Sequence, residues 1–217
     1  MRFDIITIFP EIFDSYFKES IISRAQKKGL IKINIHNLRD YADNKYKRVD
    51  NNPFGGGPGM VMMAEPILKA IKKIKSPHSA KASRGKAKII LFSTRGKKFD
   101  NKMAKRFSKL EQLIMICGRY EGVDERVAQY LADEEISIGD YILTGGEIPA
   151  MIVVDAVSRF IPGVLGKHES LEEIKGSYPV YTRPEDFKGW KVPKVLLSGN
   201  HRKIQEWRKN VSGFDIF

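Results

Sequence analysis

Residues 135–160 read EISIGDYILTGGEIPAMIVVDAVSRF. The stretch opens as a short apolar strand and breaks at Gly139-Asp140. It becomes apolar again, turns at Thr144-Gly145-Gly146 and enters a helix. Thr144 and Glu147, three residues apart, have the form of a capping box, and Pro149 fits a first helical turn. Ile148, Met151, Ile152, Val154, Ala156 and Val157 make the helix apolar on nearly every side, which predicts burial. Glycine turns this tight between buried elements serve either as plain connections or as places where backbone groups approach a ligand.

The same alternation runs outward in both directions. Phe3–Phe9 reads as a buried strand closed by Pro10, and residues 11–28 as one amphipathic helix with Ile12, Phe13, Tyr16, Phe17, Ile21 and Ile22 inward, stopped by Gly29. Ile31, Ile33 and Ile35 alternate with polar residues in a second strand. Residues 40–59 carry no periodicity and end in FGGGPG, a loop of a length that in a compact domain is usually functional or mobile. A helix over 65–74, a Lys/Ser/Gly/Pro-rich loop over 75–86, a strand over 89–92 and a basic helix over 99–110 come next. A strand over 113–117, the loop Gly118–Gly122 and a helix over 124–132 lead back to the opening stretch. Strands alternating with helices over this length predict an α/β fold with a largely parallel sheet and helices on both faces. After Phe160 the character changes. Residues 161–180 read as a linker, and 181–217 as a small, mainly helical domain with a basic helix over 201–210 around Trp207.

The 217 residues carry 38 Lys and Arg against 26 Asp and Glu, a formal charge of +12. Between Glu65 and Lys109 fifteen basic residues face two acids, which suits a polyanionic partner, nucleic acid above all. No apolar run approaches the ~20 residues that span a bilayer. The N-terminus lacks the layout of a secretion signal, and the single cysteine, Cys117, excludes an internal disulfide. These features imply a cytoplasmic protein.

Phosphate-loop, dinucleotide, nucleophile-elbow and zinc signatures are all missing, and the four histidines have no ligand spacing. Three glycine loops remain, at 55–59, 118–122 and 139–146, each beside a buried strand. In an open α/β sheet such loops converge at the carboxyl ends of the strands. Glu121, Asp140 and Glu147 accompany them with few cations, which suits a neutral or cationic ligand better than a phosphate. Helix capping is the alternative role for these acids.

Taken together, VDNNPFGGGPGMVM (49–62), ICGRYEGVDERV (116–127), SIGDYILTGGEIPAM (137–151), VSRFIPGVLG (157–166) and LLSGNHRKIQEWR (196–208) resemble the bacterial tRNA (guanine-N1)-methyltransferases, a family of the trefoil-knotted SPOUT superfamily. The resemblance covers nearly the whole chain in the family's motif order. It implies a deep knot, an S-adenosylmethionine-dependent enzyme acting on N1 of the guanine 3′ of the tRNA anticodon (position 37), and a homodimer with shared active sites. The family's cofactor loops fall on Ser93–Gly96, Gly118–Gly122 and Ser137–Gly146. The positions carried over are Ser93, Gly118, Tyr120, Glu121, Gly122, Ser137, Ile138, Gly139, Asp140, Tyr141, Ile142, Leu143, Gly145 and Gly146. Thr94-Arg95 departs from the Pro-Gln common in the family.

Guanine N1 is protonated at neutral pH, so methylation needs a base within reach of N1–H and benefits from a cation near O6. The resemblance gives the cation role to Arg159. It puts the base in the linker, where the family has an aspartate. An ungapped count back from Tyr181-Thr182-Arg183-Pro184 reaches Glu169 at that point, with Glu172 and Glu173 as alternatives. The resemblance implies tRNA contacts at Asp50 to Gly59, Arg183, Asn200, His201, Arg202, Lys203 and Arg208. It also suggests a divalent ion, for which the sequence offers no site. Two other readings stand beside this one: ribose 2′-O methylation on the same cofactor site, and a non-catalytic basic RNA-binding protein.

Overall fold

A computed structural model describes residues 1–75, 87–165 and 178–211. The chain divides into two compact units, Met1–Leu165 and Gly166–Phe217. The first is built on a five-stranded sheet. Its strands are β1 (Arg2–Thr7), β2 (Lys32–Asn37), β5 (Ala87–Lys98), β6 (Gln112–Ile116) and β7 (Glu134–Ser137), in the order β2-β1-β6-β5-β7. Every neighbouring pair is parallel, as the alternating pattern predicts. Two-residue strands β3 (Asp50–Asn51) and β4 (Val61–Met62) form a separate antiparallel pair inside the long polar loop.

Central strands are buried on both faces, so they read as unbroken apolar runs. Phe3, Ile5, Leu113, Met115 and Ile90 face one core together with Val153, Val154 and Val157 of α6 (Glu147–Arg159). Ile6, Ile114, Ile116, Ile89 and Leu91 face the other, beneath α3 (Ala64–Lys75) and α5 (Glu125–Tyr130). Each fully buried aliphatic side chain stabilises the fold by ~1.5–3 kcal/mol.

The continuous helix expected over 11–28 is broken. A 3-10 turn at Pro10–Phe13 passes into α1 (Asp14–Phe17), and α2 (Ser20–Lys27) starts afresh after an extended Glu19. The cause is spacing. Phe13 and Phe17 stack at 5.4 Å and are buried, as are Ile22 and Ala25, but Phe17 and Ile22 are five apart and cannot share one helical face. Ser20 absorbs the change with φ 48°, and Gln26 Nε2 donates to the freed Phe17 carbonyl at 2.8 Å. Ile12 and Tyr16, expected inward, are exposed. The predicted strand over 89–92 extends to Ala87–Lys98, with its register against β7 shifting between Phe92 and Lys97. The basic helix shrinks to α4 (Asn101–Phe107), capped by Asp100, whose carboxylate accepts from Met103 N.

The capping box at Thr144 and Glu147 is not formed. Gly146 is the N-cap of α6 and no side chain caps it. Nor is α6 wholly inward: Ala150, Val153, Val154 and Val157 are buried, while Ile148 and Ile152 are exposed. At its outer face the Tyr16 hydroxyl bonds Asp155, whose carboxylate pushes the phenol pKa up to about 12.

At the amino ends of the strands lies Asp4, 1% exposed. Burial alone would raise its pKa. Four side chains outweigh that, with His36 Nε2 at 2.9 Å, Asn34 Nδ2 at 3.0 Å, Gln112 Nε2 at 2.8 Å and Arg2 Nε at 2.6 Å, and the carboxyl sits below its usual value. One carboxylate thus joins β1, β2 and β6.

The second unit holds a two-stranded antiparallel pair, Asp186–Phe187 with Trp190–Lys191, and helices Lys194–Leu197 and His201–Val211. Tyr181 and Trp207 pack at 6.4 Å between ring centroids.

A depressed folded-state pKa contributes stability above the unfolded value, lost as pH falls through the folded one. Asp4→Asn is therefore expected to cost about 2–3 kcal/mol near neutral pH. The gap from wild type should close on acidification below ~pH 4. Urea unfolding at pH 7 and pH 3 measures both.

Candidate active site

The carboxyl ends of β5, β6 and β7 open into one cavity of about 580 Å³. That size is ordinary for a small-molecule site. Three segments line it: the irregular end of β5 around Ser93–Arg95, the loop after β6 at Gly118–Gly122, and the loop after β7 through Gly146. Of the sequence-predicted positions, Ser93, Gly118, Tyr120, Glu121 and Gly122 line the cavity. So do Ser137, Ile138, Tyr141, Ile142, Leu143, Gly145 and Gly146. Gly139 and Asp140 do not; the exposed Asp140 instead pairs with Lys98 at 2.5 Å.

Close backbone approach explains two of the glycines. A Cβ on Gly146 would lie 2.5 Å from Cys117 Cα, and one on Gly96 would lie 2.4 Å from Ile136 N. Neither neighbour is a flexible side-chain tip, so no other residue fits without backbone movement. The Gly146 amide donates to the Gly118 carbonyl at 3.0 Å, which ties the second and third loops together. Beneath them Cys117 is fully buried. Burial raises its thiol pKa well above the usual value, the Glu147 charge adds to this, and Arg119 opposes it.

Glu147 is 1% exposed at the start of α6. Its carboxylate accepts from Thr7 Oγ1 at 2.7 Å and from Arg119 Nε at 2.9 Å. Arg119 Nη1 also reaches the Thr144 carbonyl at 3.2 Å and hydroxyl at 3.3 Å, and the guanidinium lies 4.8 Å over the Phe9 ring. The sequence pattern marks Glu147 as part of a capping box and as an acid beside the glycine loops, and gives Arg119 no role. A buried ion pair between a loop and a helix start leaves no local pattern.

At the outer wall Arg95 Nη2 bonds Glu125 at 2.6 Å and lies 3.8 Å from Glu135. Glu135 Oε2 is buried without a hydrogen-bond partner. That oxygen is the one nearest Arg95 Nη2, so it is ion-paired at long range while its hydrogen-bonding capacity stays open. Glu121, Glu125 and Glu135 line the cavity against two cations, Arg95 and Arg119, and Arg95 pairs with Glu125 and Glu135. Ile138, Leu143 and Pro149 supply an apolar surface for a flat ring. Glycine-cradled, partly apolar and acid-rimmed, the cavity fits S-adenosylmethionine.

Asp50 and Gly59, expected at the RNA, lie on the segment that folds over the second loop. Glu121 N donates to Met60 O at 3.0 Å and Met62 N to Gly122 O at 2.9 Å, while a Cβ on Gly59 would meet the Glu121 side chain at 2.5 Å. Phe54 at the tip is fully exposed. Arg159 closes α6, half-buried, and does not line the cavity. Glu169, Glu172 and Glu173 lie outside the described residues.

In the second unit Asn200 Oδ1 accepts from Lys203 N at 3.1 Å at the head of the last helix. Arg202 pairs with Glu206, Arg208 lies 4.7 Å over the Tyr178 ring, and Arg183, His201 and Lys203 are exposed. Among the described residues no helix is long and apolar enough to cross a membrane, and no group of three or more His, Cys, Asp or Glu could hold a metal ion.

A parallel α/β sheet with such a cavity at its carboxyl edge has the ligand-site layout of open α/β proteins. The comparisons sharpen this. A model of the tRNA (Guanine-1)-methyltransferase TrmD family matches residues 1–213, and the chain belongs to that family. It is 52% identical to the tRNA (guanine-N(1)-)-methyltransferase of Clostridioides difficile, over 98% of this chain and 92% of that protein. The proteins of that name from Dictyoglomus turgidum and Geobacter sulfurreducens are 52% and 49% identical, over 96% of this chain in each case and 84% and 85% of theirs.

Gly146→Ala is expected to destabilise the protein by about 1–3 kcal/mol, the cost of overpacking against backbone. Gly146 sits at φ −85°, so its cost is steric, whereas Gly29→Ala, at φ +69° with open space around its Cβ position, reports a conformational cost alone for contrast. Thermal unfolding of both variants makes the comparison.

Proposed function

We infer that the chain is an enzyme that transfers a methyl group from S-adenosylmethionine to N1 of a guanine in tRNA. The guanine is the one directly 3′ of the anticodon, position 37. The observation that carries this reading is the glycine-cradled, acid-rimmed cavity in a chain of this family.

S-adenosylmethionine, when bound, supplies an electrophilic methyl on a sulfonium centre. The chain's residues have three tasks. Ser93, Gly118 to Gly122 and Ser137 to Gly146 hold the donor, with the Glu121 carboxylate offsetting its positive charge and backbone groups reading its base. A linker carboxylate, Glu169 in our assignment, takes the N1 proton as the methyl arrives. Arg159 steadies the negative charge that develops on O6. Alignment of N1 with the methyl carbon is a matter of positioning, which a rigid three-loop cradle serves. The segment from Asp50 to Gly59, fastened to the Glu121 loop, stands where it can cover the target base.

The second unit is assigned to tRNA through Arg183, Asn200, His201, Arg202, Lys203 and Arg208. Exposed cations next to a packed Tyr181–Trp207 pair support that role. We assign the chain a homodimeric state and a trefoil-knotted core by family. The exposed apolar residues Phe9, Ile12, Ile148 and Ile152 on the first unit support a dimer face.

The test is methyl incorporation into unmodified tRNA transcripts with guanine 37 intact or replaced. Incorporation should vanish on replacement, and transfer to a ribose hydroxyl would show instead as its persistence. Glu169→Gln is expected to lower single-turnover transfer by about 10²-fold or more while donor binding holds. Full rate at saturating tRNA would move the base to Glu172 or Glu173.

A further inference from the structure

Arg119 belongs to the second cavity loop, yet most of its side-chain contacts go to the third. Nε donates to Glu147, Nη1 to both oxygens of Thr144, and the two intervening residues, Gly145 and Gly146, have no side chain in the way. A Cβ on Gly145 would fall 2.3 Å from Arg119 Nε and 2.7 Å from Glu147 Oε2. One guanidinium therefore packs flush against Gly145 and bonds Thr144 and Glu147, the residues that flank the Gly145-Gly146 pair. Glu147 is in turn fixed to the end of β1 through Thr7. The Arg119 side chain is 20% exposed: its bond to the buried Glu147 forms largely out of water, while those to Thr144 lie on the solvent side, and a planar fork holds both partners in a set direction.

We propose that Arg119 is a positioning residue for the methyl donor: through Thr144, Gly145 and Glu147 it sets the gap between the two glycine loops that grip S-adenosylmethionine. The proposal rests on the methyltransferase reading. Arg119 makes no contact with the reacting atoms in this scheme. It acts through the third loop, whose Ile142 and Tyr141 are exposed and whose one other short tie to the second loop is the Gly146 amide to Gly118 carbonyl bond. Losing the guanidinium frees Thr144 and strands a buried carboxylate, so stability and donor affinity both fall. Two effects from one residue must be separated.

Replacing a buried ion pair by apolar residues of similar volume is commonly neutral or stabilising, whereas removing one partner is not. The double variant Arg119→Met/Glu147→Met therefore restores packing but not the bonds to Thr144. Calorimetry with S-adenosylmethionine and thermal unfolding are run on wild type, Arg119→Ala, Arg119→Lys and the double variant. Arg119→Ala should weaken donor binding by about tenfold or more, the order expected for hydrogen bonds to a charged group. Arg119→Lys should recover part of it. The double variant should melt near the wild type and still bind weakly. In steady state the KM for the donor should rise while the KM for tRNA stays within twofold. Wild-type affinity in the double variant, or in Arg119→Ala, overturns the proposal, because the pair would then serve stability alone. A wild-type protein that does not bind S-adenosylmethionine fails at the methyltransferase reading itself, a separate result.

Discussion

The backbone of Gly146 rests against the backbone of Cys117 and Gly118 with no side chain between them. Much of the first unit depends on that contact. It lets the chain leave β7, cross the end of β6 and enter α6 within hydrogen-bond distance of the preceding loop. The α6 helix then starts where Glu147 can reach Thr7 at the end of β1. Had a Cβ intervened, the third loop would stand off the sheet edge and the cavity would lose one wall. The ligand site is thus a by-product of how tightly a helix start is laid on a strand end.

Two buried carboxylates hold the ends of β1, and they differ in kind. Asp4, near the amino end, accepts from four side chains and links three strands. Glu147 stands by the carboxyl end of the strand with one hydroxyl and one guanidinium, both of them next to the cavity. Satisfying a buried charge with many donors favours a rigid frame; satisfying it with an arginine from a cavity loop makes the frame answer to the site.

Much of the sheet was legible in the sequence because doubly covered parallel strands are largely apolar, as Leu113–Cys117 shows and as Phe3–Ile8 shows apart from Asp4 and Thr7. Periodicity failed where packing overrode it. The five-residue step from Phe17 to Ile22 forces the break before Ser20. Glu147 mimics a capping box but spends its carboxylate on Thr7 and Arg119. The cradle itself was read by motif, and its glycines lie where backbones meet. Arg119, Glu125 and Glu135 escaped because their partners are distant in sequence and their residue types are common on any surface. Gly139 and Asp140 belong to the motif yet stand off the cavity wall, since a motif marks a loop rather than each side chain's direction.

Cys117 lies under this junction, sealed by the Gly146 backbone and with its thiol held protonated by burial. As the sole sulfhydryl in the sequence, it is a label already built into the floor of the site. A thiol reagent meets it only when the third loop lifts from the second. The rate of that modification is therefore a clock for the breathing of the cradle, readable without any engineered probe.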